Sequence, residues 1–133
     1  MKLKLVLIAV GLVQITLGIA YLLFPMTFLQ WMGHTVPAPD IRYPLGMLAA
    51  RFLAYGLGMF VIARSPVRHA FWIGNMVLIQ LIDLAVGLSC TVSGVVSWHL
   101  SAFPMFNAAL IACLLWLLFP SRNPASNTSA EPA

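Results

Sequence analysis

Four apolar stretches, each about long enough to cross a bilayer once, dominate this chain and restrict what it can become. They run from about Leu3 to Phe24, Leu45 to Ala63, Ala70 to Thr91 and Ala102 to Phe119. At 1.5 Å of rise per residue, roughly 18 to 22 helical residues match a hydrocarbon core of about 30 Å. Inside lipid a segment must satisfy its own backbone polar groups, so each stretch reads as a helix. Charge supports this. Only 8% of the residues are charged, against about 25% in soluble domains. So little charge could not cover the surface of a soluble fold. The expected fold class is all-α: a four-helix transmembrane bundle over residues 1–120, N-in/C-in, with antiparallel neighbours and short loops.

The connections set the order of the spans. Lys2 and Lys4 ahead of the first stretch, with Gly18 and Ala20 near its end, resemble a signal peptide and its cleavage site. The apolar run continues through Phe24, which favours a retained helix. Pro25 stops it. The segment from Met26 to Pro44 reads as a loop, because Pro37, Pro39 and Pro44 each remove a donor and restrict the preceding residue. Thr27 to Met32 can form one helical turn there, with Gly33 as its stop. The link Arg64 to His69 is short and predicts that the second and third helices are antiparallel neighbours. Residues 121–133 lack apolar side chains to bury and read as a disordered cytoplasmic tail.

Basic residues predict the orientation. With the amino terminus inside, Lys2, Lys4, Arg64, Arg68 and Arg122 are cytoplasmic and only Arg42 lies in an outer segment. Trp72 and Trp116 then mark the inner interface, Trp31 and Trp98 the outer one. The net charge of +4 is scattered singly, so no basic surface for nucleic acid is expected. The expected partners are the bilayer itself and either a membrane-protein partner or a second copy of the chain.

Arg51 and Asp83 are the residues least suited to hydrocarbon, where a lone charge costs about 2.5–3.5 kcal/mol on insertion scales. Both fall roughly 9–12 Å below the outer ends of their helices. An Arg51–Asp83 ion pair facing the bundle interior is therefore expected, either as a latch or as part of a functional site. Tyr55, Gln80 and Asn107 complete a candidate polar cluster at similar depth. On the first helix Gly11, Gln14, Gly18 and Tyr21 form a stripe that reads as a packing face. Gly56, Gly58 or Gly87 could receive it. Cys90 and Cys113 form no C-x-x-C motif and read as small buried side chains. His34, His69 and His99 are dispersed, so no metal or other cofactor is expected, and no catalytic residue is assigned.

Gly18 to Pro25 followed by Phe28 to Gly33 resembles the first helix and exit of the DoxX-like group of small four-helix bacterial membrane proteins. The second-helix run Ala50-Arg51-Phe52-Leu53-Ala54-Tyr55-Gly56-Leu57-Gly58, the short basic turn and Asp83 are similar as well. The resemblance covers about residues 1–120 and implies a multi-pass protein of the bacterial inner membrane, sometimes associated with redox or stress systems. It transfers no catalytic residue.

Three functions follow as expectations. The first is a non-enzymatic scaffold or accessory subunit of a membrane complex, suited to minimal loops and no soluble domain. The second is a small-molecule or proton transporter using the Arg51–Asp83 cluster. The first helix lacks the acid on which small multidrug exporters depend. The third is a quinone-linked redox protein. Thiol chemistry does not suit it, because Cys90 and Cys113 differ too much in depth to bond.

Overall fold

The computed structural model describes residues 1–35 and 37–120. Within them the chain forms five α-helices: α1 (Lys2–Leu23), α2 (Pro25–Trp31), α3 (Arg42–Arg64), α4 (Ala70–Val92) and α5 (Trp98–Leu117). A 3-10 turn, Pro39–Ile41, leads into α3. The tail expected to be disordered lies outside the described residues.

Sequence chemistry explains the helix ends. Pro25 opens α2 at a position where its missing N–H costs nothing. Gly33, at φ +95, closes that short helix in a conformation most residues avoid. Pro44 does not delay α3, which begins at Arg42 rather than Leu45, because a first-turn N–H has no intrahelical partner to lose. The fourth span begins at Trp98 rather than Ala102, after Ser97 in an extended conformation.

α1, α3, α4 and α5 are each long and apolar enough to cross a membrane. The exterior matches. Leu12, Ile19, Leu57, Val86, Phe103 and Phe106 are all exposed, which suits a hydrocarbon solvent and not water. Trp31 and Trp98 stand exposed at one end of the bundle, Trp72 and Trp116 at the other. This is a multi-pass membrane protein. Below, the end carrying Met1 and Pro120 is the terminal end, and the opposite one is the loop end.

Two helix pairs pack tightly: α1 with α3, and α4 with α5. Glycine allows the first. A Cβ added at Gly56 would sit 2.6 Å from the Ile15 side chain and 3.0 Å from the Gly11 carbonyl oxygen. One added at Gly18 would sit 2.8 Å from Leu53. Without a hydrophobic drive in lipid, such close backbone approach is what joins helices. In the second pair Gly87 makes room for Met105, and the Thr91 hydroxyl donates to Ser101 Oγ at 2.7 Å.

These pairings correct three expectations. The second and third spans, α3 and α4, are antiparallel but not closely packed. Gly58 faces open space and receives nothing from α1. Gly87 serves α5, not α1. Cys113 also departs from expectation: it is exposed rather than buried, and Cys90 is half-buried. Each pair is tight because a glycine on one helix makes room for a side chain of the other. Between pairs, long side chains keep the backbones apart.

Those long side chains meet mainly at the terminal end. Leu7 and Val10 of α1, Met59 of α3, Ile73 and Met76 of α4, and Leu115 of α5 belong to one buried core. All four spans contribute, and the terminal half of the bundle is sealed.

Candidate functional site

The loop half is not sealed. A cavity of about 510 Å³ lies between the two helix pairs there, bounded by all four spans and by α2. Its rim carries the exposed residues Trp31, His99 and Phe103. Its volume falls within the roughly 300–1,000 Å³ typical of small-molecule sites.

The floor is built from two buried amides. Gln14 of α1 is 4% exposed and Gln80 of α4 is 3% exposed. Both Nε2 groups donate to one weak acceptor, Met76 Sδ, at 3.9 Å from Gln14 and 3.5 Å from Gln80. The Gln14 Oε1 atom is buried and has no partner. An unpartnered buried carbonyl costs about 1–3 kcal/mol. Gln14 and Met76 close the gap between α1 and α4, so the sealed core ends where the cavity begins.

One wall is aromatic. Tyr21 stacks on Phe52 with ring centroids 6.0 Å apart and meets Phe28 edge-on at 4.9 Å. Phe28 stacks in turn on Trp31 at 6.0 Å. The Tyr21 hydroxyl points to Met32 Sδ at 3.9 Å. The helical turn α2 supplies Phe28 and Trp31, so this small element between two spans shapes the mouth. The opposite wall comes from α5, where Ser101, Asn107 and Ala108 line the cavity. Pro104 also lines it, and its ring removes the helical donor for the Leu100 carbonyl.

The residues expected to cluster are divided. Asp83, Gln80 and Asn107 line the cavity. Tyr55 does not; its hydroxyl accepts a hydrogen bond from Asn75 Nδ2 at 3.1 Å, joining α3 to α4. Arg51 does not line it either, and the expected Arg51–Asp83 ion pair is absent. Both side chains are exposed and no salt bridge joins them. Their depths match, but their directions do not. With about 100° between successive helical residues, Phe52 sits about 60° to one side of Tyr55 and Arg51 about 40° to the other. Phe52 is on the cavity side, and Arg51, about 100° round the helix from it, is not among the lining residues.

The α1 stripe is divided too. Gly11 and Gly18 pack against α3, whereas Gln14 and Tyr21 line the cavity. Phe28, Trp31, Phe52, Ser101 and His99 are lining residues that sequence reasoning did not assign to a site. The aromatic spacing in α2 was a usable signal. The pairing of Tyr21 with Phe52 was not, since it depends on α1–α3 register. Among the described residues no group of three His, Cys, Asp or Glu side chains could hold a metal ion.

Fold and site together define a class: a multi-pass helical membrane protein, closed at one end and hollow at the other. Set against protein-family models, characterised proteins and solved structures, the chain matches none of them.

Proposed function

We propose that this chain is a small-molecule-binding protein of the bacterial inner membrane that admits its ligand from the loop end. The observation that carries the reading is the half-membrane cavity, which ends on two buried amides and holds Asp83. Ligand sites of this kind are mostly apolar with a few placed polar groups. In this reading the terminal end is cytoplasmic, in keeping with Lys2, Lys4, Arg64 and Arg68 at that end. The cavity then opens toward the outside. Transport would need a second state open at the terminal end, so binding is the part of the transporter reading that the geometry supports.

Cysteine accessibility tests this without knowledge of the ligand. In a chain with Cys90 and Cys113 replaced by serine, Asn107→Cys, half-buried in the cavity lining, should react with a membrane-impermeant thiol reagent applied to intact cells. Ala112→Cys, more than one turn deeper in the sealed core, should not. Equal protection of both positions would remove the open cavity and the binding reading with it.

A second reading, an accessory subunit or homo-oligomer of the DoxX-like kind, is favoured by one feature of α3. Gly46, Ala50, Ala54 and Gly58 recur every fourth residue on the side away from the core, and both glycines face open space. Such a stripe lets a partner helix approach. Purification in mild detergent should then recover a dimer or a complex that Ala54→Leu disrupts. A monomer without any partner counts against this reading.

A further inference from the structure

The cavity holds one unbalanced charge and one buried carbonyl oxygen without a donor. Asp83 is the only acidic residue lining it, and no lysine or arginine does so among the described residues. Asp83 lies roughly 14 Å below the loop end of α4. A carboxylate at that depth ordinarily has a partner, and Arg51, which matches it in depth, neither lines the cavity nor forms a salt bridge with it. His99 gives no substitute. It stands in the first turn of α5, which the Thr91–Ser101 bond holds beside the loop end of α4, roughly 14 Å from the level of Asp83. Asn107 offers a neutral amide but no charge. Gln14 Oε1 has no donor, and Pro104 withholds one from Leu100.

The aromatic wall is at the right level. α1 and α4 are parallel, because each is antiparallel to α3. Gln14 meets Met76 across them. Two turns further along each helix stand Tyr21 and Asp83, which therefore share a level roughly 10 Å toward the loop end. The carboxylate and the Tyr21–Phe52 stack thus line the same storey of one cavity. Aromatic faces attract cations, more strongly where water is excluded.

We infer that the cavity takes a lipophilic organic cation, a protonated amine whose charge lies against Asp83 and whose apolar body lies against the Tyr21, Phe28 and Phe52 wall. The inference rests on the binding reading above and adds the ligand's charge and class. Among the described residues no cation balances Asp83, so the ligand supplies the positive charge together with an N–H donor. An anion would meet a carboxylate with no cation to offset it, and a neutral molecule would leave the carboxylate unpaired.

Three probes of one shape test it: 3,3-diphenylpropylamine, 3,3-diphenylpropanol and 3,3-diphenylpropionate. Each is titrated into the full chain in maltoside micelles, whose head groups are uncharged, with tryptophan fluorescence and equilibrium dialysis as readouts. The amine should bind saturably and about tenfold or more tightly than the alcohol, with the propionate weakest. Asp83→Asn should erase the amine's advantage over the alcohol; Asp83→Glu should keep it. Should Asp83→Asn fail to fold, the comparison of the three probes on the native chain decides alone. An alcohol or propionate that binds as tightly as the amine overturns the cation and leaves the cavity reading in place. Saturable binding by none of the three overturns both.

Discussion

The two halves of this bundle are made from the same four helices and differ in what those helices place between them. In the terminal half Leu7, Met59, Ile73 and Leu115 interdigitate and are almost fully buried. In the loop half the facing positions carry Tyr21, Phe52, Asp83 and Asn107, and a cavity remains. The tight pairs, α1 with α3 and α4 with α5, run through both halves. The halves differ in how one pair meets the other. Aliphatic side chains of matched length close that gap, and polar or aromatic ones hold it open. Packing of one half can therefore anchor the other, which frees the loop half from carrying the fold.

If that division is correct, the largest losses come from the sealed half. Leu115→Ala should lower stability by about 2–5 kcal/mol, the usual cost of an aliphatic cavity in a packed core, measured by unfolding in mixed detergent micelles. A loss below about 0.5 kcal/mol, within the range of surface changes, would mean the terminal half is no firmer than the cavity. Gly56→Val comes next. Its side chain must enter the space held by Ile15 and the Gly11 carbonyl, with an expected cost of about 1–3 kcal/mol for overpacking. Full tolerance there would show that α1 and α3 can separate without penalty. Gln14→Met should act with the opposite sign. It keeps the shape and removes the unpartnered carbonyl, so a gain of about 1 kcal/mol is expected. Destabilisation by this variant would indicate that Gln14 Oε1 has a partner in the bilayer.

Much of this architecture was legible in the sequence. Hydropathy marks the four spans, and proline and glycine mark the short helix at Pro25–Trp31. The tight seam of α1 was also visible, because Gly11 and Gly18 are small at helical spacing. The site was only half legible. Depth can be read from residue counts along a helix, and it placed Asp83, Gln80 and Asn107 together. Direction around the helix needs the identity of the packed neighbour, which pattern alone does not supply. Arg51 shows the consequence: it matches Asp83 in depth and does not meet it. Gln14 and Tyr21 show the converse. They share a stripe with two packing glycines, yet they turn slightly past the seam and line the cavity.

The smallest expected effect is the most informative about that division. Arg51 is exposed and has no ion-pair partner among the described residues, so Arg51→Leu should change the stability of the monomer in detergent by less than about 0.5 kcal/mol. Breaking a buried ion pair would instead cost about 3–5 kcal/mol, since the remaining charge is left uncompensated. The two outcomes are far enough apart for one unfolding titration to separate them. A large loss would bring α3 and α4 together in the loop half through Arg51 and Asp83. It would close the cavity and supply a cation to Asp83. A negligible loss leaves Asp83 unpaired by Arg51, which is the condition under which an external cation can bind. Ion-pair geometry at one residue therefore decides whether the loop half is a latch or a receptacle.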